Sequence, residues 1–503
     1  MLPPDCSDSH DLATFGYKQK LARTLGNFSA FAAGFSYLSI LTGMFQMFHL
    51  GFAAGGPAFF WTWPTVFLGQ LLVALCFAEL AAQYPLSGGV YQWSRQVSAR
   101  AVGWMAGWIY LACSIVTLAA VALALQTTLP QITGWFQFIG DPSNATDHAK
   151  NAVLLGCVLI AFSTLINSVG VGLLAKINNV GVVTELVGVV ALIGLLAARA
   201  VRGPGHVLLD TQGRGASETF GYLGPFVAAA GLTASYVMYG YDTAGSLAEE
   251  TTEPRQKAPR AILQALTAAA VAGALLLLFA MMAVRNLDAP ELAEGDGGLP
   301  YIVKESLGDQ LGSIFLWDVI LAITVCALVV HTGAVRLIFA MARDNNLPFS
   351  AALGRVSAAS RTPIIPALAA GVLAAAILVA NVDFPNVIKV VTAVAILWAN
   401  LAYLLVTAAL LLERWRGWPV QRGPGVKGVF ALGRWGLPVN FLAVTWCLFT
   451  VVNVGWPRPE VYGNAWYHRY GALLYTAGLV MVGGVYYLLR QRHKNGVLEE
   501  HRA

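Results

Sequence analysis

The stretch Tyr239-Gly-Tyr-Asp-Thr-Ala-Gly-Ser246 interrupts an apolar run that is otherwise long enough to cross a bilayer. Its glycines, threonine and serine weaken helix formation, and Asp242 adds a charge. A second weak stretch, Gly34-Phe-Ser-Tyr-Leu-Ser-Ile-Leu-Thr-Gly43, lies about 200 residues earlier. A broken helix exposes backbone groups, which a membrane tolerates only where they line a cavity. The two stretches together therefore predict a polar cavity between two interrupted helices.

Small residues in the earlier stretch also fit a plain packing role, since they let membrane helices approach closely. A binding role is favoured because the two stretches occupy corresponding places in two halves of five spans each. Paired interrupted helices of this kind indicate a transporter binding site. Their half-helix N-termini would attract a carboxylate, and their freed carbonyls would attract a cation or an ammonium group.

The amino-acid composition indicates that most of the chain lies in a lipid bilayer. Of 503 residues, 57% are hydrophobic and 11% are charged, and the mean hydropathy is +0.64. Soluble domains carry roughly 25% charged residues. The net charge of +5 comes from short basic clusters between apolar runs, a pattern of membrane flanks rather than of a nucleic-acid surface. The six cysteines form no CxxC pair, so we expect no metal site, cofactor or disulfide framework.

Twelve apolar runs are candidates for membrane-spanning helices, which gives an all-α polytopic membrane protein. They run near 26–50, 58–82, 99–127, 151–168, 175–199, 222–246, 262–284, 312–341, 364–381, 386–412, 437–456 and 469–489. With the N-terminus inside, about 21 Lys and Arg residues fall on the cytoplasmic side and about 9 outside, as the positive-inside rule requires. Both termini are then cytoplasmic, most simply in a plasma (inner) membrane.

Residues 1–25 are predicted to form a cytoplasmic tail without a cleavable signal, and residues 490–503 a second one. Residues 26–200 and 220–412 form the two five-span halves. A basic cytoplasmic loop at 413–436 leads to the last two spans at 437–489.

Acidic residues inside apolar runs are costly and indicate an interior or water-filled surrounding. Glu185 is the clearest case, since it lies well inside the fifth span. Burial disfavours the charged form of a carboxyl, so Glu185 either exchanges a coupling proton or ion, or stays neutral and hydrogen-bonds a neighbouring helix. Asp242 either attracts an ammonium group or caps the second half-helix. Glu79 and Asp318 lie near span ends and are expected to be solvated or salt-bridged. His331 is either a hydrogen-bonded packing residue, which we favour, or a proton relay.

The chain resembles the amino acid–polyamine–organocation transporters, in particular the amino acid/choline permease branch with its GABA and choline permeases. The matching stretches are Ile40-Leu-Thr-Gly-Met-Phe45, Gly55-Gly56-Pro57, Glu79-Leu80, Pro85-Leu-Ser-Gly-Gly-Val-Tyr91, Glu249-Glu-Thr-Thr-Glu-Pro254, Ala258-Pro-Arg-Ala-Ile262, Ala342-Arg-Asp-Asn-Asn-Leu-Pro348, Phe430-Ala-Leu-Gly-Arg-Trp-Gly436 and Pro438-Val-Asn440. Their order and spacing cover most of the chain.

The resemblance implies a LeuT-like fold of two inverted five-helix repeats plus two C-terminal helices. It implies a substrate site at the two breaks and an aromatic gate at Tyr236. The residues it assigns to the substrate are Ser39, Leu41, Thr42, Gly43, Tyr236, Gly240, Tyr241 and Asp242. Two departures stand out: Leu41 replaces a family glycine, which leaves less room for a carboxylate, and Glu185 follows Asn178-Asn179 where several relatives have a lysine. Thr332 is the expected neighbour of Glu185 in an ion or proton site.

We therefore expect a secondary transporter for a small amine-bearing substrate, driven by a proton or sodium gradient or by exchange. A GABA-like ω-amino acid is the first choice, and choline, ethanolamine or a polyamine is the alternative within the class. A membrane-embedded enzyme is the rival from another class, but it would need a catalytic cluster that the scattered acids do not supply. The sequence leaves the oligomeric state open.

Overall fold

The computed structural model describes residues 12–141, 144–295, 297–382, 387–418, 429–462, 465–494 and 496–502. Regular secondary structure in these ranges is helical, with isolated bridges at Tyr17–Arg502 and Leu25–Thr251. Part of the predicted N-terminal tail, the split between spans nine and ten, and Arg422 and Lys427 of the basic loop lie outside the described residues.

In the part of the chain that the structure describes, twelve apolar helices follow the predicted spans, and two of them are broken. Their bounds are α1a Asn27–Leu38, α1b Ile40–Gly55, α2 Thr62–Gln83, α3 Arg100–Ile132, α4 Ala145–Val169, α5 Val171–Ala198, α6a Leu223–Val237, α6b Thr243–Ser246, α7 Pro254–Ala283, α8 Asp309–Arg343, α9 Ile364–Ala380, α10 Val387–Trp415, α11 Gly436–Gly455 and α12 Gly471–Leu489. Within the described ranges, ten helices are long and apolar enough to cross a membrane when α1a and α1b are counted together as Asn27–Gly55, while α6a and α9 are shorter. The predicted all-α polytopic fold is confirmed, and the division into inverted repeats stays a prediction.

Shorter helices lie between the spans. Gly89–Val97 follows α2, Gly298–Leu307 precedes α8, and Ser350–Leu353 follows α8. The apolar residues Leu299, Ile302 and Val303 of the second of these are buried. This helix therefore packs against the bundle as an amphipathic surface element.

The helices around the two breaks form the centre of the bundle. Of the 18 residues that form the apolar centre of α3, 89% are buried inside the protein, whereas the corresponding fraction for α12 is 11%. Helix α3 packs against both α8 and α10, and α1a packs against α7. Apolar side chains on α5, α11 and α12 remain exposed, as expected for helices whose outer surface meets lipid.

The first helix breaks at a single residue, Ser39, whose φ of 27° and ψ of 94° are not helical. The sixth helix breaks across Met238–Asp242, after a π-helical turn at Ala230–Ala234. Gly240 has a φ of +92°, and a Cβ built there would lie 2.0 Å from the ring of Tyr37. Only glycine fits this backbone conformation and this close approach without strain.

The first and the last segments that the structure describes, which begin at residue 12 and end at residue 502, lie on one side of the bundle, here called the terminal face. The backbone N–H of Lys18 donates to the carbonyl of His501 at 3.0 Å, and that of Leu498 donates to the carbonyl of Arg343 at 3.0 Å. The N-terminal segment, the end of α8 and the C-terminal segment are thereby joined. The other side is called the opposite face.

Candidate functional site

Glu185 of α5 lies against the break in the first helix. The hydroxyl of Ser39 donates to its Oε1 at 3.0 Å, and the backbone N–H of Leu41 donates to the same atom at 3.4 Å. Ser39 also shares a 2.6 Å hydrogen bond with Thr42. The first N–H groups of a helix have no partner within the helix and carry partial positive charge. Glu185 is 1% exposed. Its carboxyl group therefore supplies a hydrogen-bond acceptor for the first N–H groups of α1b, which have none within the helix.

Helix α5 also holds the other half of the first helix. The hydroxyl of Ser36 donates to Oδ1 of the buried Asn178 at 2.6 Å, and the amide of Asn179 donates to Ser29 at 3.0 Å. These contacts lie before the break, and the Glu185 contacts lie at it. One face of α5 thus fixes α1a and α1b relative to each other.

Asp242 occupies the break in the sixth helix, and its surroundings differ. Its Oδ1 accepts hydrogen bonds from the hydroxyls of Tyr110 of α3, at 2.6 Å, and Tyr403 of α10, at 2.5 Å. The backbone N–H of Gly240 donates to the Tyr403 hydroxyl at 2.9 Å. The side chain of Asp242 forms no capping bond to α6b. Two tyrosines thus hold this carboxyl between three helices.

Between the two breaks lies a small hollow of about 10 Å³. Its lining residues come from α1, α3, α6 and α8: Tyr37, Leu38, Thr42, Gly43, Thr117, Val121, Tyr236, Tyr239 and Cys326. Within the described residues this lining contains no charged side chain. A volume of this size holds about one water molecule. In this conformation the hollow therefore has no room for a larger molecule.

The predicted substrate residues fall into three groups. Thr42, Gly43 and Tyr236 line the hollow, where the Tyr236 hydroxyl donates to Gln46 at 3.0 Å. The other two groups are Ser39 and Leu41, which contact Glu185, and Gly240, Tyr241 and Asp242, which form the break in the sixth helix. The Tyr241 side chain points away from the hollow, toward Gln70 of α2 at 3.0 Å.

Thr332 is not brought to Glu185 by a hydrogen bond in the described structure. Its hydroxyl donates to Oδ1 of Asn167 in α4 at 2.8 Å and to the carbonyl of Leu328 at 2.8 Å. Thr332 therefore joins α8 to α4 through a hydrogen bond. Its assigned role in ion or proton coupling stays a prediction.

Buried ion pairs seal the terminal face, and we call Arg336, Arg343, Asp344, Glu249, Glu250 and Arg95 the terminal gate. Arg336 contacts Glu250 at 2.7 Å, and Arg343 contacts Glu249 at 2.9 Å; all four side chains are at most 1% exposed. Breaking one partner of such a buried pair costs about 3–5 kcal/mol. The gate ties the α6–α7 loop to the end of α8.

Asp344 connects the gate to the N-terminal segment. It accepts hydrogen bonds from the hydroxyls of Tyr17 and Tyr91, both at 2.9 Å, and pairs with Arg95 at 2.5 Å. Burial raises the pKa of Tyr17 to about 12, and the Asp344 carboxylate adds to that effect. The phenol therefore stays protonated and donates at any physiological pH, which keeps the N-terminal segment on the gate.

The opposite face carries a large cavity instead. Its volume is about 750 Å³, and its polar lining includes His49, Arg214, Glu218 and Arg458. Leu232 of the π turn also lines it. The cavity is therefore bounded by α1b and the start of the sixth helix, and other residues of α1b and α6a line the hollow.

Three other polar residues are explained by packing. Glu79 forms a buried ion pair with Arg414, which confirms the expected salt bridge. His331 bonds Ser163 at 3.0 Å and the carbonyl of Ala367 at 2.9 Å, so both ring nitrogens are satisfied. The expectation for Asp318 was wrong: both its carboxylate oxygens are shielded, without a hydrogen-bond partner in the described structure, where the side chain packs on Gly188.

Sequence reasoning missed the residues that complete the site. Tyr110 and Tyr403 look like ordinary aromatic residues of apolar helices, and nothing in their spacing ties them to Asp242. Arg336 did carry a signal, because a basic residue within a predicted span requires an acidic partner. The Glu249–Glu250 pair after the sixth span belongs to a stretch that resembles the family, but only the fold brings Arg343 and Arg336 to it. No group of three His, Cys, Asp or Glu side chains converges in the described ranges.

Comparison with known proteins places the chain in a family. The amino-acid permease BAT1 of Arabidopsis thaliana is 26% identical and covers 96% of this chain and 94% of its own length. The branched-chain amino acid permease BcaP of Bacillus subtilis is 25% identical over 88% and 90%, and the methylthioribose transporter of the same organism is 27% identical over 71% and 75%. The sequence profile described as amino acid permease matches residues 25–479. With its broken helices and multiple spans, the chain therefore belongs to the amino acid permease family, a family of membrane transporters and not of enzymes.

Proposed function

We propose that the protein carries an amino acid or a related amine by alternating access, and that Glu185 couples this movement to proton uptake. The observation that carries the proposal is the contact of Glu185 with the freed N–H group of Leu41 and the hydroxyl of Ser39. A substrate carboxylate would be attracted to the same helix start. Substrate and Glu185 therefore compete for one set of donors.

The competition supplies a coupling mechanism. An ionised Glu185 holds the donors and repels a second carboxylate, so it opposes substrate binding. A protonated Glu185 has no net charge and holds the same donors less strongly. Protonation and substrate binding then favour each other, and by linkage each raises the affinity for the other equally. Sodium coupling is the alternative, in which a metal cation would neutralise the same carboxylate.

The two faces of the protein support alternating access. The terminal gate closes one side with buried ion pairs, while the cavity of about 750 Å³ opens the other. The hollow of about 10 Å³ is too small for an amino acid. Substrate binding therefore requires α1b or α6a to move, and release at the terminal face requires the gate ion pairs to separate.

The lining of the hollow favours a substrate that brings its own carboxylate. The side chains there are tyrosines, threonines and apolar residues, and Asp242 is turned toward Tyr110 and Tyr403. A zwitterion can use the helix start for its carboxylate and the tyrosine faces for its amine. Among zwitterions, a GABA-like ω-amino acid is our first choice, because Leu41 narrows the space beside the carboxylate.

Choline, ethanolamine or a polyamine is the second candidate for this site. Tyr37, Tyr236 and Tyr239 offer aromatic faces of the kind that bind quaternary or primary ammonium groups. Such a cation would leave the donors at Leu41 to Glu185 and would not compete with it. Uptake driven by acidification would then be weak or absent, which distinguishes the two candidates.

We further propose that the terminal face is cytoplasmic and that the protein lies in the plasma (inner) membrane. The support is the excess of Lys and Arg in the predicted cytoplasmic segments, about 21 against about 9 in the predicted outside segments. Labelling of a cysteine introduced at the exposed Arg416 with an impermeant thiol reagent tests this. Labelling only after permeabilisation is expected, and labelling of intact cells would reverse the orientation.

Uptake into proteoliposomes tests the transport proposal. We expect saturable accumulation of a radiolabelled ω-amino acid or α-amino acid when the side facing the cavity is made acidic, and little effect of an imposed sodium gradient. Thr42→Ala and Tyr236→Ala should raise KM, whereas Thr184→Ala, an exposed threonine on α5, should not. Uptake driven by sodium alone would assign the coupling to that ion, and unchanged kinetics in both site variants would place the substrate elsewhere.

A further inference from the structure

A cavity of about 560 Å³ on the terminal face lies apart from the substrate site. Three segments distant in sequence form it: the N-terminal segment at Gln19–Leu21, the α8–α9 loop at Gly354–Arg361, and the C-terminal segment at Glu500 and His501. Transport through the hollow and the terminal gate makes no use of these residues. Their shared cavity therefore needs a separate explanation.

The charge around this cavity is positive. Lys20, Arg355 and Arg361 contribute three cations to the lining, and Glu500 contributes one carboxylate. Basic residues gather on this face of many membrane proteins, so the charge by itself indicates no ligand. A concave site lined by three cations, one from the N-terminal segment and two from the α8–α9 loop, does, however, suit a compact anion.

His501 is the second observation, and it points into the same cavity. Its side chain is buried at 2% exposure, and neither ring nitrogen forms a well-aligned hydrogen bond within the described residues. The acceptors beside the ring are the Glu500 carboxylate and the backbone of Gly354. Nε2 lies 3.4 Å from the Glu500 carboxylate, and the ring packs edge-on against Phe339. Burying a polar group without a well-aligned partner is unfavourable, and an anion in the cavity would supply such a partner.

We propose that this cavity binds a phosphate-bearing anion through Lys20, Arg355, Arg361 and His501. Arginine and lysine are the usual partners of phosphate oxygens, and arginine can bind them with two parallel hydrogen bonds. The source is either the headgroup of an anionic phospholipid or a soluble phosphate compound. Because the three segments meet at the site, its occupant would fasten both chain ends to the α8–α9 loop.

Protonation of His501 should strengthen binding. Burial lowers the pKa of His501 below its ordinary value; Glu500 opposes the shift, and Arg343 and Lys20 add to it. The imidazole is therefore neutral near pH 7 and gains its charge only under more acidic conditions or beside a bound anion. The charged groups that face His501 are Glu500, Lys20, Arg343, Arg355 and Arg361. We assign to His501 the dependence of binding on pH, measured between about pH 5 and 7.

The test measures binding and the thermal midpoint of the full-length protein purified in detergent. The probes are inorganic phosphate, short-chain phosphatidylglycerol and, as a zwitterionic control, short-chain phosphatidylcholine. We expect the thermal midpoint to rise with phosphatidylglycerol, with phosphate, or with both. Phosphatidylcholine should leave the thermal midpoint unchanged. Stabilisation by phosphatidylglycerol alone identifies a lipid headgroup, and stabilisation by phosphate identifies a soluble ligand.

Variants separate this site from general surface charge. Arg355→Gln and Arg361→Gln should each weaken binding at least about tenfold, since a hydrogen bond to a charged group is lost. Arg416→Gln, an exposed arginine on the same face that pairs with Glu413, should have no effect. His501→Gln should flatten the pH dependence measured with sulfate, an anion whose charge is constant in that range. Equal weakening by Arg416→Gln, or no stabilisation by either phosphate probe, would overturn the proposal.

Discussion

The two helix breaks at the centre of the protein are held in different ways. At the first, a single carboxyl group, Glu185, accepts from the hydroxyl of Ser39 and the N–H of Leu41. At the second, the carboxyl group of Asp242 accepts from two tyrosine hydroxyls, and the backbone of Gly240 is bound to one of those tyrosines. The first break thus presents helix donors to an acid, and the second surrounds an acid with neutral donors.

This difference assigns different tasks to the two acids. The donors around Glu185 belong to a helix start, which a substrate carboxylate can also use. The donors around Asp242 are side chains of α3 and α10, which a small substrate in the hollow does not replace. We therefore interpret the first break as the exchangeable part of the site and the second as its fixed frame.

Gly240→Ala should have the largest effect and should act on folding. An alanine at φ +92° is strained by about 1–2 kcal/mol, and its Cβ would overlap the Tyr37 ring at a further cost of about 1–3 kcal/mol. We expect a much lower thermal midpoint and a poor yield of monodisperse protein. Gly194→Ala is the control, since nothing lies within 4 Å of a Cβ there; equal stability of the two variants would refute a fixed frame at the second break.

Asp242→Ala should come next, because it leaves the hydroxyls of Tyr110 and Tyr403 without their acceptor. At about 1–3 kcal/mol for each unsatisfied group, the thermal midpoint should fall clearly. Asp242→Asn keeps an oxygen in the same position, so it should be nearly as stable as wild type and should keep acid-driven uptake. Loss of that uptake in a stable Asp242→Asn protein would show that this carboxyl titrates too, and the contrast between the breaks would be wrong.

Ser39→Ala should have the smallest effect on stability and a selective effect on transport. The hydroxyl that joins Glu185 and Thr42 is lost, while Leu41 still donates to Glu185. A hydrogen bond to a charged group contributes about 1.5–3 kcal/mol, so the pH at half-maximal uptake should shift upward, toward easier protonation of Glu185. The comparison variant is Ser36→Ala, which loses a bond to Asn178 instead and should leave that pH unchanged.

The sequence predicts the helices well because each span must be long and apolar. All twelve predicted spans contain a helix, and both breaks occur at the stretches rich in small and hydroxyl residues. Ser39 and Gly240 lie within those stretches. What limits such reasoning is distance along the chain: Tyr110 and Tyr403 lie 132 and 161 residues from Asp242, and no local pattern connects them.

Charged residues show the same limit. Glu185 was identified because an acid inside a span requires an explanation, but its partner at Leu41 depends on how α5 packs on the first helix. Thr332 was assigned from its place on α8, and the packing turns its hydroxyl toward Asn167 of α4. Such contacts depend on the rotation of each helix about its own axis, which decides the side that faces a neighbour. In helices that are hydrophobic on most sides, the spacing of apolar residues does not define this rotation well.

Proton movement in the Glu185→Gln variant tests the central claim most directly. The variant protein and wild type would be reconstituted with a pH-sensitive dye inside the vesicles, with Glu413→Gln as the control carboxyl on the terminal face. Wild type and control are predicted to acidify the interior when substrate is added outside, whereas Glu185→Gln should exchange labelled for unlabelled substrate without moving protons. Acidification at the wild-type rate by Glu185→Gln would contradict the account.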